Sequence, residues 1–247
     1  MNKILFAILV LAQSVFASFD NGWYLTTMMG CSFSGPSPLV INLDDNRTES
    51  ISANYNNRCF EDSHWWSFRS EKWTNKQGIG FELIHHKIYL DNTTDLVERF
   101  SISDGYNLLF LNFAKQKNNR NYRVGLGVVY AHMDVTISGR ENYKQKGFKG
   151  HYLTGPAFQI NIEQILWESD YNFISLDSKF TAAYAQVPIS SNQNETATAP
   201  DYALHFSLAF GSKPQALKEK PIMYALPLLY PITTGYFLGT GLLPGTD

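Results

Sequence analysis

The chain has 247 residues, of which 44% are hydrophobic and 15% aromatic, a content that excludes a disordered polymer and suits one β domain. The formal charge of −2 provides no basic footprint, so nucleic acid is not an expected partner.

The first residues have the three-part build of a secretory signal. Lys3 supplies the positive start, Ile4 to Ala12 form an apolar run, and Val15-Phe16-Ala17 supplies the peptidase site. Residues 1–17 are therefore predicted to be removed after Ala17. The run falls short of the about 20 apolar residues of a spanning helix. No cysteine follows the cleavage site, so a lipoprotein anchor is not expected. Cys31 and Cys59 are the two cysteines of the mature part, enough for one bridge in an oxidising compartment. They do not make a metal-binding spacing, and neither metal nor cofactor is expected.

The mature chain reads as strands. Period-2 alternation recurs between clusters of Asn, Asp, Gly, Lys and Ser, and helical periodicity is scarce before the tail. Candidate strands are 22–31, 48–57, 64–73, 77–90, 99–114, 121–135, 150–163, 171–187 and 200–211, with the segment 22–43 the least regular. Bacterial single-chain barrels favour even strand numbers, so about eight are expected rather than nine. In the last run, Tyr202, Leu204, Phe206, Leu208 and Phe210 alternate with Ala203, His205, Ser207 and Ala209. The large apolar faces end in aromatics, as in the girdles of membrane barrels, and the opposite faces mix small residues with isolated charges. Run lengths near 9–11 residues match tilted strands crossing a bilayer. Because lipid tolerates no open sheet edge, such strands must close on themselves.

The expected fold is all-β, an antiparallel up-and-down transmembrane β-barrel over 18–211. The turns at Asn118-Asn119-Arg120 and Glu168-Ser169-Asp170 are short and expected to be periplasmic. The stretches 91–98, 136–149 and 188–200 are longer and expected to be extracellular. A separate tail, 212–247, runs from a polar stretch into the apolar segment Pro221 to Leu243. Pro227 and Pro231 make a regular helix there doubtful.

Several stretches in this order carry a resemblance. They are Trp65-Trp66-Ser67-Phe68-Arg69-Ser70-Glu71-Lys72-Trp73, Gly80 to Leu90, Ser101-Ile102-Ser103-Asp104-Gly105-Tyr106-Asn107-Leu108-Leu109, Gly125 to His132, Tyr152-Leu153-Thr154-Gly155-Pro156-Ala157 and Lys179-Phe180-Thr181-Ala182. Over about 50–210 the chain resembles a family of uncharacterised bacterial outer-membrane β-barrel proteins. The resemblance implies location in the bacterial outer membrane and brings no reaction with it. In shape alone the chain is similar to the eight-stranded barrels that include lipid A deacylases.

Three groups of residues could carry chemistry. On the strand Glu82-Leu83-Ile84-His85-His86-Lys87, successive side chains alternate, so Glu82 and His86 share the lumen face while His85 and Lys87 face outward. At a headgroup zone, His85 and Lys87 suit anionic lipid phosphates, with simple snorkelling as the plainer reading. Weak catalytic candidates are His132, Ser103, His86 and Glu82, because an acyl hydrolase needs a Ser, a His and an acid. Neither a nucleophile elbow nor a His-x-Ser pair supports them. The third group, Arg69, Glu71, Glu82, Arg123, Gln159, Asp177, Lys179 and His205, is expected to fill the lumen as a paired polar network.

The leading reading is a monomeric outer-membrane barrel with a structural or surface role, contacting lipopolysaccharide or an external partner. The alternatives are a lipid A-modifying acyl hydrolase and a secreted lipocalin-like binder, the latter suggested by Asn21-Gly22-Trp23-Tyr24. Lipocalins enclose apolar faces, whereas this chain is expected to enclose charges.

Overall fold

A computed structural model describes residues 19–59, 65–144, 151–191, 194–225 and 227. The expected signal peptide and the tail beyond 227 lie outside the described residues.

Eight antiparallel strands close into a ring: β1 Gly22–Ser34, β2 Trp65–Thr74, β3 Gln77–Leu90, β4 Val97–Lys117, β5 Arg120–His132, β6 His151–Glu168, β7 Asn172–Pro188 and β8 Thr196–Ser212. Each pairs with its sequence neighbour, and β8 closes on β1 with Phe206 opposite Cys31. The turn between β2 and β3 is two residues, Asn75 and Lys76, both with positive φ of 50° and 65°. This left-handed pair gives the backbone twist that matches a right-twisted hairpin.

The ninth sequence-read strand, 48–57, does not cross the barrel. Thr48–Ala53 pairs with Ser37–Asn42 in a hairpin beyond the end of β1, and Val40 to Asn42 lean on Thr196 to Thr198 of β8. Tyr55–Asn56 then pairs with Tyr89 and Leu90. The reading failed there because soluble hairpins and barrel strands alternate alike. β1, β4, β6 and β8 run longer than expected, whereas β5 ends at His132 instead of continuing to 135. Asp134–Ile137 returns to pair with Val97 to Ser101, and Tyr143–Lys144 adds to that edge.

Polarity inverts along the barrel axis. Around the turn end, outward positions are apolar: Phe81, Phe113, Leu126, Ile160, Leu176 and Leu208 are all exposed to the surroundings. Inward positions at that level are Arg69, Glu82, Arg123, Asp177 and Lys179, all buried. Around the loop end the pattern reverses. Ile88, Val97, Ile102, Val135, Val187 and Ala199 form an oily centre, while Glu98, Arg99 and Gln186 on the same strands do not join it. The ionic part of the interior is therefore confined to the lower half. The physical cause is the solvent: hydrocarbon favours apolar side chains outside, and water favours them inside.

The lower mouth is closed by aromatics. Phe19 stacks on Tyr24 at 4.2 Å between centroids and meets Trp73 at 5.0 Å and Phe173 at 5.1 Å. After β8 a short helix, α1 (Pro214–Glu219), turns the chain back against the outer wall. There Ser212 Oγ donates to the Met223 carbonyl at 3.1 Å, and Thr27 Oγ1 donates to the carbonyl of Pro227. Both hydroxyls are fully buried on outward-facing positions, and the tail supplies the acceptors that hydrocarbon could not.

Candidate functional site

Strand register stacks the lumen into layers. Arg69 stands opposite Glu82, Lys179 opposite His205, and Gly125 between Asn112 and Gln159. A side chain at Gly125 would collide with Asn112 Oδ1 at 2.2 Å, so this glycine makes room for the polar layer.

In that layer Glu82 collects most of the donors. It accepts from Lys179 Nζ at 2.6 Å, Ser67 Oγ at 2.9 Å, Asn112 Nδ2 at 2.9 Å and Gln159 Nε2 at 3.0 Å, and Arg69 Nε approaches at 3.3 Å. Arg69 Nη2 donates to Asp177 at 2.7 Å, and Lys179 reaches the same carboxylate. Below, Arg123 grips Glu71 with two bonds of 2.7 and 2.8 Å and adds Glu163 at 2.8 Å. Such burial is tolerable only because each charge has opposite charges and hydrogen bonds around it.

The histidines occupy the level above. His205 Nε2 bonds Thr181 Oγ1 at 2.8 Å, and its ring lies 5.5 Å from that of Trp65. His86 Nδ1 faces Ser32 Oγ at 3.1 Å and its Nε2 faces Asp201 Oδ2 at 3.0 Å. The acid paired with His86 is thus Asp201 of β8. Glu82 sits on the same face four positions away, but its donors hold it in the ionic layer. Glu82 and His86 therefore do not form the acid–base pair weighed from the sequence.

The other two weak candidates sit higher. Tyr106 pairs with His86 and Ile102 with Ile88, so Ser103 to Gly105 bulge from β4, with Gly105 at φ 128°. His132 is buried at the loop end of β5, opposite His151.

No protein-family model and no curated protein matches this sequence. Solved structures do match. OprG, an outer membrane protein of Pseudomonas aeruginosa, is 11% identical, covering 78% of this chain and 97% of that one with a TM-score of 0.44. Ail, the attachment invasion locus protein of Yersinia pestis, is 8% identical over 77% and 99% of the two chains, with a TM-score of 0.39. Neisserial surface protein A is 6% identical over 78% and 97%, with a TM-score of 0.38.

At the polarity boundary the outer wall carries His85 and Lys87. The His85 ring stacks on Trp66 at 5.2 Å, and its Nδ1 bonds Asn107 at 2.7 Å. Beside them, Trp65, the first described residue of β2, stands opposite Gly30. Residues 55–59 run alongside the upper part of β1. Asn57 Oδ1 accepts from the Ser34 amide at 2.9 Å, and its Nδ2 donates to the Lys87 carbonyl at 2.9 Å. Cys59 Sγ lies 3.5 Å from the Ser32 carbonyl, and Cys31 and Cys59 are unbridged. A cavity of about 240 Å³ lies there, lined by Ser32, Phe33, Ser34, Tyr55, Arg58 and Asp91 among others.

Sequence reasoning missed Ser32, Tyr55, Asp201 and Glu163. Asp201 and Glu163 share the inward parity of His205 and Gln159 and were reachable by extending alternation. Ser32 fell just past the end assigned to its strand.

Proposed function

We propose that this protein is a monomeric, non-conducting barrel of the bacterial outer membrane that displays a closed β cap and holds anionic headgroups of lipopolysaccharide at its rim. The observation that carries the reading is the inversion of polarity at the level of Trp66 and His85. Below that level the outward residues suit hydrocarbon, and above it they suit water. His85 and Lys87 project outward at the boundary, where a cation meets lipid phosphates. The ionic layer and the lower aromatic cluster argue against a pore.

The loops support a cap. Arg140 Nη1 donates to both carboxylate oxygens of Glu195 at 2.7 Å, and the Asp44 amide donates to the same group at 3.2 Å. Three loops are thereby joined over the barrel.

The test is reconstitution of the mature chain in vesicles with and without lipopolysaccharide. Lipopolysaccharide is expected to raise the unfolding temperature of the wild type, and to raise it less for a His85→Ala/Lys87→Ala double variant. Recovery of the protein from a soluble fraction without detergent, or steady ion conductance in a planar bilayer, would refute the reading.

A further inference from the structure

We propose that Ser32, His86 and Asp201 form a nucleophile, general base and positioning carboxylate for hydrolysis of a carboxylic ester carried by an anionic membrane amphiphile. The inference rests on the outer-membrane reading above, because its substrate arrives from the bilayer.

Three strands that are not consecutive in sequence bring these groups together: β1, β3 and β8. They do so just above the ionic layer. Ser32 Oγ to His86 Nδ1 is 3.1 Å, and His86 Nε2 to Asp201 Oδ2 is 3.0 Å. All three side chains are buried, with relative exposures of 2%, 0% and 0%. Placing the imidazole proton on Nε2, toward Asp201, leaves the Nδ1 lone pair facing the serine hydroxyl. That is the order nucleophile, base, orienting acid, recognised by roles rather than by chain position. A purely structural trio would serve as well deep in the ionic layer. This one borders a cavity that Ser32 itself lines.

Tyr55 also lines the cavity, and its hydroxyl lies beside Ser37, whose own proton goes to the Pro200 carbonyl at 2.6 Å. Arg58, also lining the cavity, rests over the Tyr89 ring at 4.1 Å and offers a cation to an anionic headgroup. Phe33, which lines the same cavity, is exposed on the outer wall, within reach of an amphiphile held in the bilayer interface.

The chemistry balances without a cofactor. Ser32 Oγ bonds to the ester carbonyl carbon as its proton moves to His86 Nδ1. The ester C–O bond then breaks, and His86 returns the proton to the departing alkoxide. Water, deprotonated by the same nitrogen, releases the carboxylic acid and restores Ser32.

The test treats the folded, detergent-solubilised mature protein with a fluorophosphonate probe and maps the adduct by mass spectrometry. A heat-modifiable gel shift is run on each sample. The expected result is one adduct on Ser32, absent in Ser32→Ala. In His86→Ala its formation is slowed at least about a hundredfold, the usual contribution of a general base. Asp201→Asn is expected to lower the limiting labelling rate without changing the half-saturating probe concentration, a split that loosened packing would not give. Wild type should also release nitrophenolate from a p-nitrophenyl acyl ester in mixed micelles. A heat-modifiable wild-type barrel with no adduct on Ser32 would overturn the inference, and so would equal labelling rates in wild type and a folded His86→Ala. Loss of the gel shift in wild type would instead overturn the membrane reading.

Discussion

Lys179 Nζ and Glu82 Oε1 stand 2.6 Å apart although β7 and β3 lie on opposite sides of the ring. The pair spans the lumen and ties walls that share no backbone hydrogen bonds. Glu82→Ala would leave Lys179 and Arg69 buried beside a hole. We expect a loss of about 3–5 kcal/mol, the range for breaking a buried pair by removing one partner. Urea unfolding in lipid vesicles measures it. A Glu82→Leu/Lys179→Met double variant is expected to lose less than the sum of its single changes, because neither charge is then stranded.

The polarity boundary can be located by placing the same charge on either side of it. Leu208 faces outward in the lower half and Gln186 outward in the upper half. Leu208→Arg is expected to cost about 2–4 kcal/mol, as for a charge on a lipid face near the midplane. Gln186→Arg is expected to change stability by less than about 0.5 kcal/mol, as on an ordinary wet surface. Equal costs would place both positions in the same solvent.

The cap should weaken in acid. Burial disfavours the Glu195 carboxylate, but the hydrogen bonds from Arg140 and the Asp44 amide outweigh it and hold its pKa below the ordinary 4.5. A carboxyl depressed in the folded state stabilises that state above its unfolded pKa. It loses this contribution as pH falls through the folded value. The clasp is therefore complete at neutral pH and fades as acid protonates Glu195. Because Arg140 is partly exposed, about 1 kcal/mol is expected after solvent screening. Trypsin cleavage after Arg140 measures loop opening: Glu195→Gln should cleave faster than wild type at pH 7. Hydrogen exchange of the same loop should converge in the two proteins as pH falls through the folded-state value.

The lumen has no spare volume beside Gly125. Its replacement by Val would meet Asn112 Oδ1, Gln159 Cγ and Gln159 Nε2, atoms of the two side chains whose amide nitrogens donate to Glu82. Gly125→Val is expected to destabilise by roughly 1–3 kcal/mol through overpacking. Gly139 has open space around it and a left-handed φ of 75°, which Asn tolerates better than most side chains, so Gly139→Asn should cost less. Parallel thermal melts in detergent separate the two.

Alternation along the chain was enough to determine the class of fold, the inward and outward face of most crossing strands, and the membership of Arg69, Glu71, Glu82, Arg123, Gln159, Asp177, Lys179 and His205 in one parity. That legibility has a physical basis: in a sheet, which face a side chain takes depends only on its place in a period of two. The hairpin at 37–53 misled the strand count because parity is the same in a crossing strand and in a cap. The reversal of polarity above Trp66 was equally hidden, since the solvent outside each level is not encoded in alternation. Tertiary structure alone decided which buried groups meet. Ser32, His86 and Asp201 are far apart in sequence, and only ring closure and the long-range register of β8 on β1 bring them to hydrogen-bond distance.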